Sequence, residues 1–201
     1  MEIVVLAMLI AIGAYLLKSR NERRRIALLG SHLGKYQIEK LMGHLTEGYL
    51  RALGEEDSQR RDSIWSLLNT TEAKLCSQFN SFAAEFSKVA EAQARVSKFA
   101  FPIPFAERLF PKATFDLRRC LMLHAQGITS AAQGSPDRTP RDKAFTLSAE
   151  LFLMQHTCHW FCRSKAVASA RMLGRHKTPY ALVLKSVAPE TRRAYGALTG
   201  N

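Results

Sequence analysis

Fifteen consecutive uncharged residues, 3–17, stand at the start of the chain, and a cluster of cations follows at once: IVVLAMLIAIGAYLL, then KSRNERRR. No other stretch limits the fold as much. A helix on the surface of a soluble domain keeps a polar face. This run is apolar on all sides and ends abruptly in charge, which is the pattern of a helix surrounded by lipid. At about 1.5 Å per residue it is roughly 22 Å long, near the short limit for a hydrocarbon core about 30 Å thick. Lys18 extends it, because its aliphatic stem lies in the apolar layer while the ammonium reaches the interface. Tyr15 stands near the charged end, where an amphipathic ring is favoured.

The order of charge sets the orientation. A cleaved secretion signal carries cations before its apolar run, and here the one early charged side chain is Glu2. Lys18, Arg20, Arg23, Arg24 and Arg25 come after it, offset only by Glu22. Lys and Arg beside a membrane segment stay on the cytoplasmic side. The pattern predicts a transmembrane anchor over residues 1–18 in a bacterial inner membrane, with the N-terminus outside and the main domain cytoplasmic. The five cations form the membrane interface.

A formal net charge of +12 fits nucleic acid, anionic lipid or an acidic partner. Beside an anchor, attraction to anionic headgroups of about 1 kcal/mol per basic residue accounts for the excess. No nucleic-acid motif occurs, and the aromatics are not interleaved with cations as base-stacking would need, so nucleic acid is not expected as a partner. The four cysteines, Cys76, Cys120, Cys158 and Cys162, lie in apolar helical context and fit a reducing compartment.

The rest of the chain reads as all-α: one transmembrane helix followed by a cytoplasmic bundle with long coiled-coil-like helices. Residues 19–54 continue the anchor as a juxtamembrane amphipathic helix that Gly54 stops, with Gly30-x-x-x-Gly34 marking either a close helix contact or a break. Residues 55–201 form the helical domain. Its clearest pattern runs over 57–99, where Ile64, Leu68, Leu75, Phe82, Phe86 and Val89 recur every three or four residues or multiples of that spacing. This predicts one long helix with a packing seam, facing either the 19–53 helix folded back or a second chain. Phe101-Pro-Ile-Pro-Phe breaks it. A bundle over 104–198 follows, with helices predicted at 111–132, from Pro140 to Leu173, and from Pro179 with a break at Pro189. The one evident loop is Gln133-Gly-Ser-Pro-Asp-Arg-Thr-Pro-Arg-Asp. Tyr180-Ala-Leu-Val-Leu looks strand-like, but Thr178-Pro179 before it is a better helix start.

Chemistry is sparse. Cys120 and His124 share one helix face, as do Cys158 and Cys162, and if the two helices pair, these four residues could hold zinc. Against this, Cys158 and Cys162 fall on the stripe of Leu147 and Leu151, where free cysteine packs as a small hydrophobe. Glu150 is the one charge in the apolar stretch 144–162. Burial would raise its pKa and suit a general acid, but a pairing with Arg118 or Arg119 explains it more simply. No phosphate loop, nucleophile elbow or HExxH pattern is present, so no enzyme activity is expected. The C-terminal cations Arg163, Lys165, Arg171, Arg175, Lys177, Lys185, Arg192 and Arg193 read as a solvated surface, the alternative being a face for lipid headgroups or an acidic partner. These features favour a membrane-anchored adaptor or scaffold without a cofactor, bound to lipid headgroups and to a protein partner or a second copy. The alternatives are an accessory subunit of a larger membrane complex and a domain with a Cys/His zinc site.

Overall fold

A computed structural model describes residues 2–134 and 138–200. Part of the expected 133–142 loop, residues 135–137, lies outside them. The described residues are overwhelmingly helical, and the all-α class holds.

Helix α1 spans Glu2–Leu33 without interruption. The cations beyond Leu17 do not break it, because Lys, Arg and Glu are good helix formers. It ends at the Gly30/Gly34 pair, where the Gly34 amide still donates to the Gly30 carbonyl at 2.9 Å. A Cβ on Gly34 would meet that same oxygen at 2.9 Å, whereas one on Gly30 would meet nothing. The pair therefore terminates a helix and mediates no close helix crossing. Glu85 fixes the turn that follows. Its carboxylate takes Lys35, His32 Nδ1 at 2.9 Å and Tyr36 Oη at 3.0 Å, and these partners, Lys35 first, hold it down to about 2.

Helix α2 (Ile38–Gly54) buries Ile38, Leu41, Met42, Leu45, Tyr49 and Ala52, a stripe at helical spacing. Helix α3 (Ser58–Phe86) begins at Asp57, whose side chain accepts from the Arg60 amide, and folds back along α2. Its seam is therefore internal. Leu68, Leu75, Phe82, Phe86 and Val89 are all buried, with Ile64 half-buried against the same core. Phe79, Phe82, Phe86 and Phe161 form a run of ring contacts with centroids 5.6–6.4 Å apart. The six residues expected to meet a partner are thus covered by the chain itself.

The expected helix to residue 99 also stops early. After Phe86 come a turn, a short helix α4 (Glu91–Ala94) and strand β1 (Arg95–Ser97). β1 pairs antiparallel with β2 (Thr114–Asp116), Val96 opposite Phe115. Val89 and Val96 kept the three-and-four spacing because both are buried, but in different structures. Between the strands lie α5 (Ala106–Leu109) and a 3-10 turn over Pro111–Ala113.

Helix α6 (Leu117–Gln133) is capped by Asp116 and helix α7 (Pro140–Cys162) by a Thr139/Asp142 capping box. α7 ends at Cys162, not Leu173, because Ser164 caps a new helix, α8 (Lys165–His176). Helices α9 (Tyr180–Ser186) and α10 (Pro189–Thr199) close the fold, so the Tyr180 segment is helical. α7 is the axis of the domain and packs on α1, α2, α6, α8 and α9.

Candidate functional site

Helix α1 leaves the domain bare. None of its most apolar 18-residue window is buried, and Ile3, Leu6, Leu9 and Leu16 are 59–83 % exposed. A core helix of a soluble protein would be covered. Among the described residues this is the one helix long and apolar enough to cross a membrane.

The cation cluster at its foot divides by helix face. Arg20, Arg23 and Arg24 are exposed. Lys18 lies 3.9 Å from Glu22, one turn on, and Glu22 pairs with Arg163 at 2.8 Å. Arg25 is not an interface cation, contrary to expectation. Its Nη2 bonds Glu107 at 3.1 Å, its Nη1 donates to the Phe161 carbonyl at 3.2 Å, and the guanidinium lies 5.3 Å from the Phe161 ring centroid. Burial pulls its pKa down and Glu107 opposes this. With Leu29 buried, the lower half of α1 belongs to the folded domain.

The Cys/His quartet does not assemble. Helices α6 and α7 do pair, as the zinc reading required, but Cys120 and His124 meet Thr157. Cys120 Sγ is 3.6 Å from His124 Nε2, which is 2.9 Å from Thr157 Oγ1. Thr157 Oγ1 also lies 3.0 Å from the Leu153 carbonyl and 3.3 Å from Tyr195 Oη. Cys158 lies about 100° further round the helix. With Cys162 it borders a depression lined by Leu29, Ile38 and Met42, on the side of α1 and α2. Among the described residues no three His, Cys, Asp or Glu converge to hold a metal. Burial raises the Cys120 and Cys158 thiols and lifts Cys162 to about 11. It also holds His124 and His156 neutral down to about 3.

Glu150 is fully buried and does not reach Arg118 or Arg119. Arg118 instead forks onto Asp116 at 2.7 and 3.1 Å. Glu150 Oε1 accepts from the Ala188 amide at 3.0 Å. Ala188 is the N-cap of α10 and has no side chain able to cap it. A carboxyl from α7 therefore does the capping, where the helix dipole favours a negative group. Burial raises its pKa to about 7, with the Thr191 hydroxyl and the Ala188 amide opposing, and its Oε2 is buried without a hydrogen-bond partner among the described residues. The Ala188 bond gives the carboxyl a structural task.

A surface absent from the sequence reading lies at the other end of α7. Helices α2, α7 and α9 line an open apolar groove with Leu50, Leu53, Phe145, Phe152 and Leu182. Leu50 is 68 %, Phe145 57 % and Leu182 52 % exposed. Leu50 has one exposed apolar neighbour in its helix, Leu53, while Phe145 and Leu182 stand alone in theirs, which is ordinary. Only their convergence is informative, and nothing local signals it.

No family model, no curated protein and no solved structure matches this chain.

Proposed function

We propose that the chain is a single-pass adaptor of a bacterial inner membrane, with its N-terminus outside and its helical domain in the cytoplasm, and that it recruits a protein through the α2/α7/α9 groove. The observation that carries this is the position of two uncovered apolar surfaces at opposite ends of one helix. The C-terminal end of α7 meets the foot of the anchor through Phe161, Arg163 and their partners Arg25 and Glu22. Its N-terminal end brings Phe145 into the groove. The 18 residues from Phe145 to Arg163 set these about 27 Å apart. A rigid spacer of that length holds a docking site clear of the headgroups. Tethering then raises the effective concentration of the bound partner at the membrane. No catalytic step is assigned to the domain.

The partner chemistry suited to such a groove is one amphipathic helix presenting apolar residues every three or four positions. Arg20, Arg23 and Arg24 serve as the headgroup contacts, and the buried seam of α3 takes no part.

Two measurements test the proposal. A reporter enzyme fused after Asn201 reads the topology, and activity confined to the outside would overturn it. Purification in mild detergent reads recruitment. A protein that comes with the native chain must be lost with Phe145→Asp and kept with Leu67→Asp, a change at an exposed leucine outside the groove. Retention by both variants, or no companion at all, would sink the groove assignment. A companion crosslinked to residues 3–17 would make the chain an accessory subunit of a membrane complex.

A further inference from the structure

The ribbon β1–β2 holds a long connection at the anchor end of the domain, and that connection is unusually apolar on its outside. Phe101 is 73 % exposed, Leu109 64 %, Phe110 46 %, Ile103 40 % and Phe105 37 %. Such a cluster is rare on a surface that faces only water.

The loop is built rather than slack. The Lys98 amide donates to the Ala113 carbonyl at its base, and the Ala166 amide to the Ala100 carbonyl. The Phe99 and Phe110 rings meet edge to face at 5.3 Å. Pro102 and Pro104 fix the backbone between them. Phe105 is held at φ +57°, in the left-handed region that a bulky residue adopts only under constraint. Glu107, on the same connection, is the partner of Arg25.

Its position relative to α1 gives it a function. Phe101, Pro102, Ile103 and Pro104 border one depression together with Lys18, the residue that ends the apolar run. We propose that residues 101–110 are a second membrane contact: an apolar wedge resting in the headgroup layer of the bilayer that α1 spans. This rests on α1 being the anchor. Three features select lipid as the occupant. The patch is continuous with the foot of the membrane helix. The run 3–17 is roughly 8 Å shorter than a typical hydrocarbon core, so the bilayer draws Lys18 and its neighbours inward. Exposed Arg108 and Lys112 fringe the patch, with the Arg108 guanidinium 5.7 Å over the Phe105 ring, as aromatic and basic residues are arranged at an interface. A helix alone lets its domain swivel about the bilayer normal. A second contact beside it stops that rotation and gives the distant groove a fixed facing.

The test uses the full chain in bilayers of ordinary or brominated phosphatidylcholine. The variants are Phe101→Trp, Leu109→Trp, Leu9→Trp and Leu67→Trp, with Trp65 and Trp160 as the common background. The emission added at 101 and at 109 should be blue-shifted and quenched by bromine, like that at 9 and unlike that at 67. If Leu9→Trp is quenched while Phe101→Trp and Leu109→Trp are not, the wedge is wrong and the anchor stands. If Leu9→Trp is not quenched, the anchor fails and the wedge with it. A photoreactive phospholipid tests the unmodified chain. Its adducts should fall on the tryptic peptides 99–108 and 109–112, and crosslinks there to protein instead of lipid would overturn the proposal.

Discussion

One guanidinium joins three parts of the molecule: Arg25 Nη2 lies 3.1 Å from Glu107 Oε2, while Nη1 of the same group donates to the Phe161 carbonyl. The long apolar N-terminal helix, the apolar loop and the axis of the domain meet at that point, and both side chains of the ion pair are only 13 % exposed.

Removing one member of a largely buried pair leaves the other charge uncompensated. Arg25→Ala should therefore lower stability by about 2–4 kcal/mol. Arg23→Ala, on the exposed face of the same helix, should change it by less than about 0.5 kcal/mol. Thermal unfolding in detergent compares the two. Equal effects would show that the Arg25 contacts do not join helix and domain.

Glu150 predicts a pH dependence with a definite sign. Unfolded, a glutamic acid titrates near about 4.3; folded, Glu150 titrates at about 7. Between these values the native state holds a proton that the unfolded chain has released. The stabilisation is full below the unfolded pKa and is lost as pH rises through the folded one, by about 3 kcal/mol. His124 and His156, held neutral to about 3, act the opposite way, since the unfolded chain binds their protons below about 6.5. The difference between wild type and Glu150→Gln isolates the carboxyl. From pH 4.5 to 8 the variant should gain about 3 kcal/mol on the wild type in denaturant titrations. A constant difference would contradict the assigned shift.

Glycine is not replaceable by a single rule. A Cβ on Gly127 would come within 2.6 Å of both Glu150 Oε2 and Thr191 Oγ1, whereas one on Gly43 would meet nothing within 4 Å. Gly43→Ala should stabilise by up to about 1 kcal/mol through helix propensity. Gly127→Ala should cost about 1–3 kcal/mol through overpacking. The midpoints of urea curves give both signs, and stabilisation by Gly127→Ala would show that α6 and the Glu150 cap are looser than described.

The buried α3 seam and the exposed groove allow folding to be tested apart from the proposed recruitment. Phe82 is fully buried, so Phe82→Ala should cost about 3–5 kcal/mol and reduce the amount of folded protein. Leu50, 68 % exposed, should tolerate Asp within about 0.5 kcal/mol while losing any companion. Circular dichroism melts set beside the detergent purification read both. A stable Phe82→Ala protein that merely lost its companion would return the seam to the role of a docking face.

What could be read without a fold were features decided within a few residues. Asp57, Thr139 and Pro140 start helices by bonding or shaping the next turn, and they do so here. The strands could not be read, because three residues give no alternation to detect and Val96 pairs with Phe115 far along the chain. The end of α7 was missed for a related reason: Ser164 caps α8 in the middle of a continuing apolar pattern. The zinc reading had the right helices pairing but not their rotation, since one residue step carries Cys158 away from the face that Thr157 shares with His124.

The sequence by itself determined the long apolar helix, the all-helical character and the starts of α3, α7 and α9, because apolar periodicity, helix propensity and capping act between neighbours along the chain. Tertiary structure alone decided that Arg25 turns inward to Glu107, that Glu150 caps α10, that the α3 seam is covered, and that the loop and the groove lie at opposite ends of α7. Those outcomes depend on contacts between residues tens of positions apart, and such contacts exist only once the helices have packed.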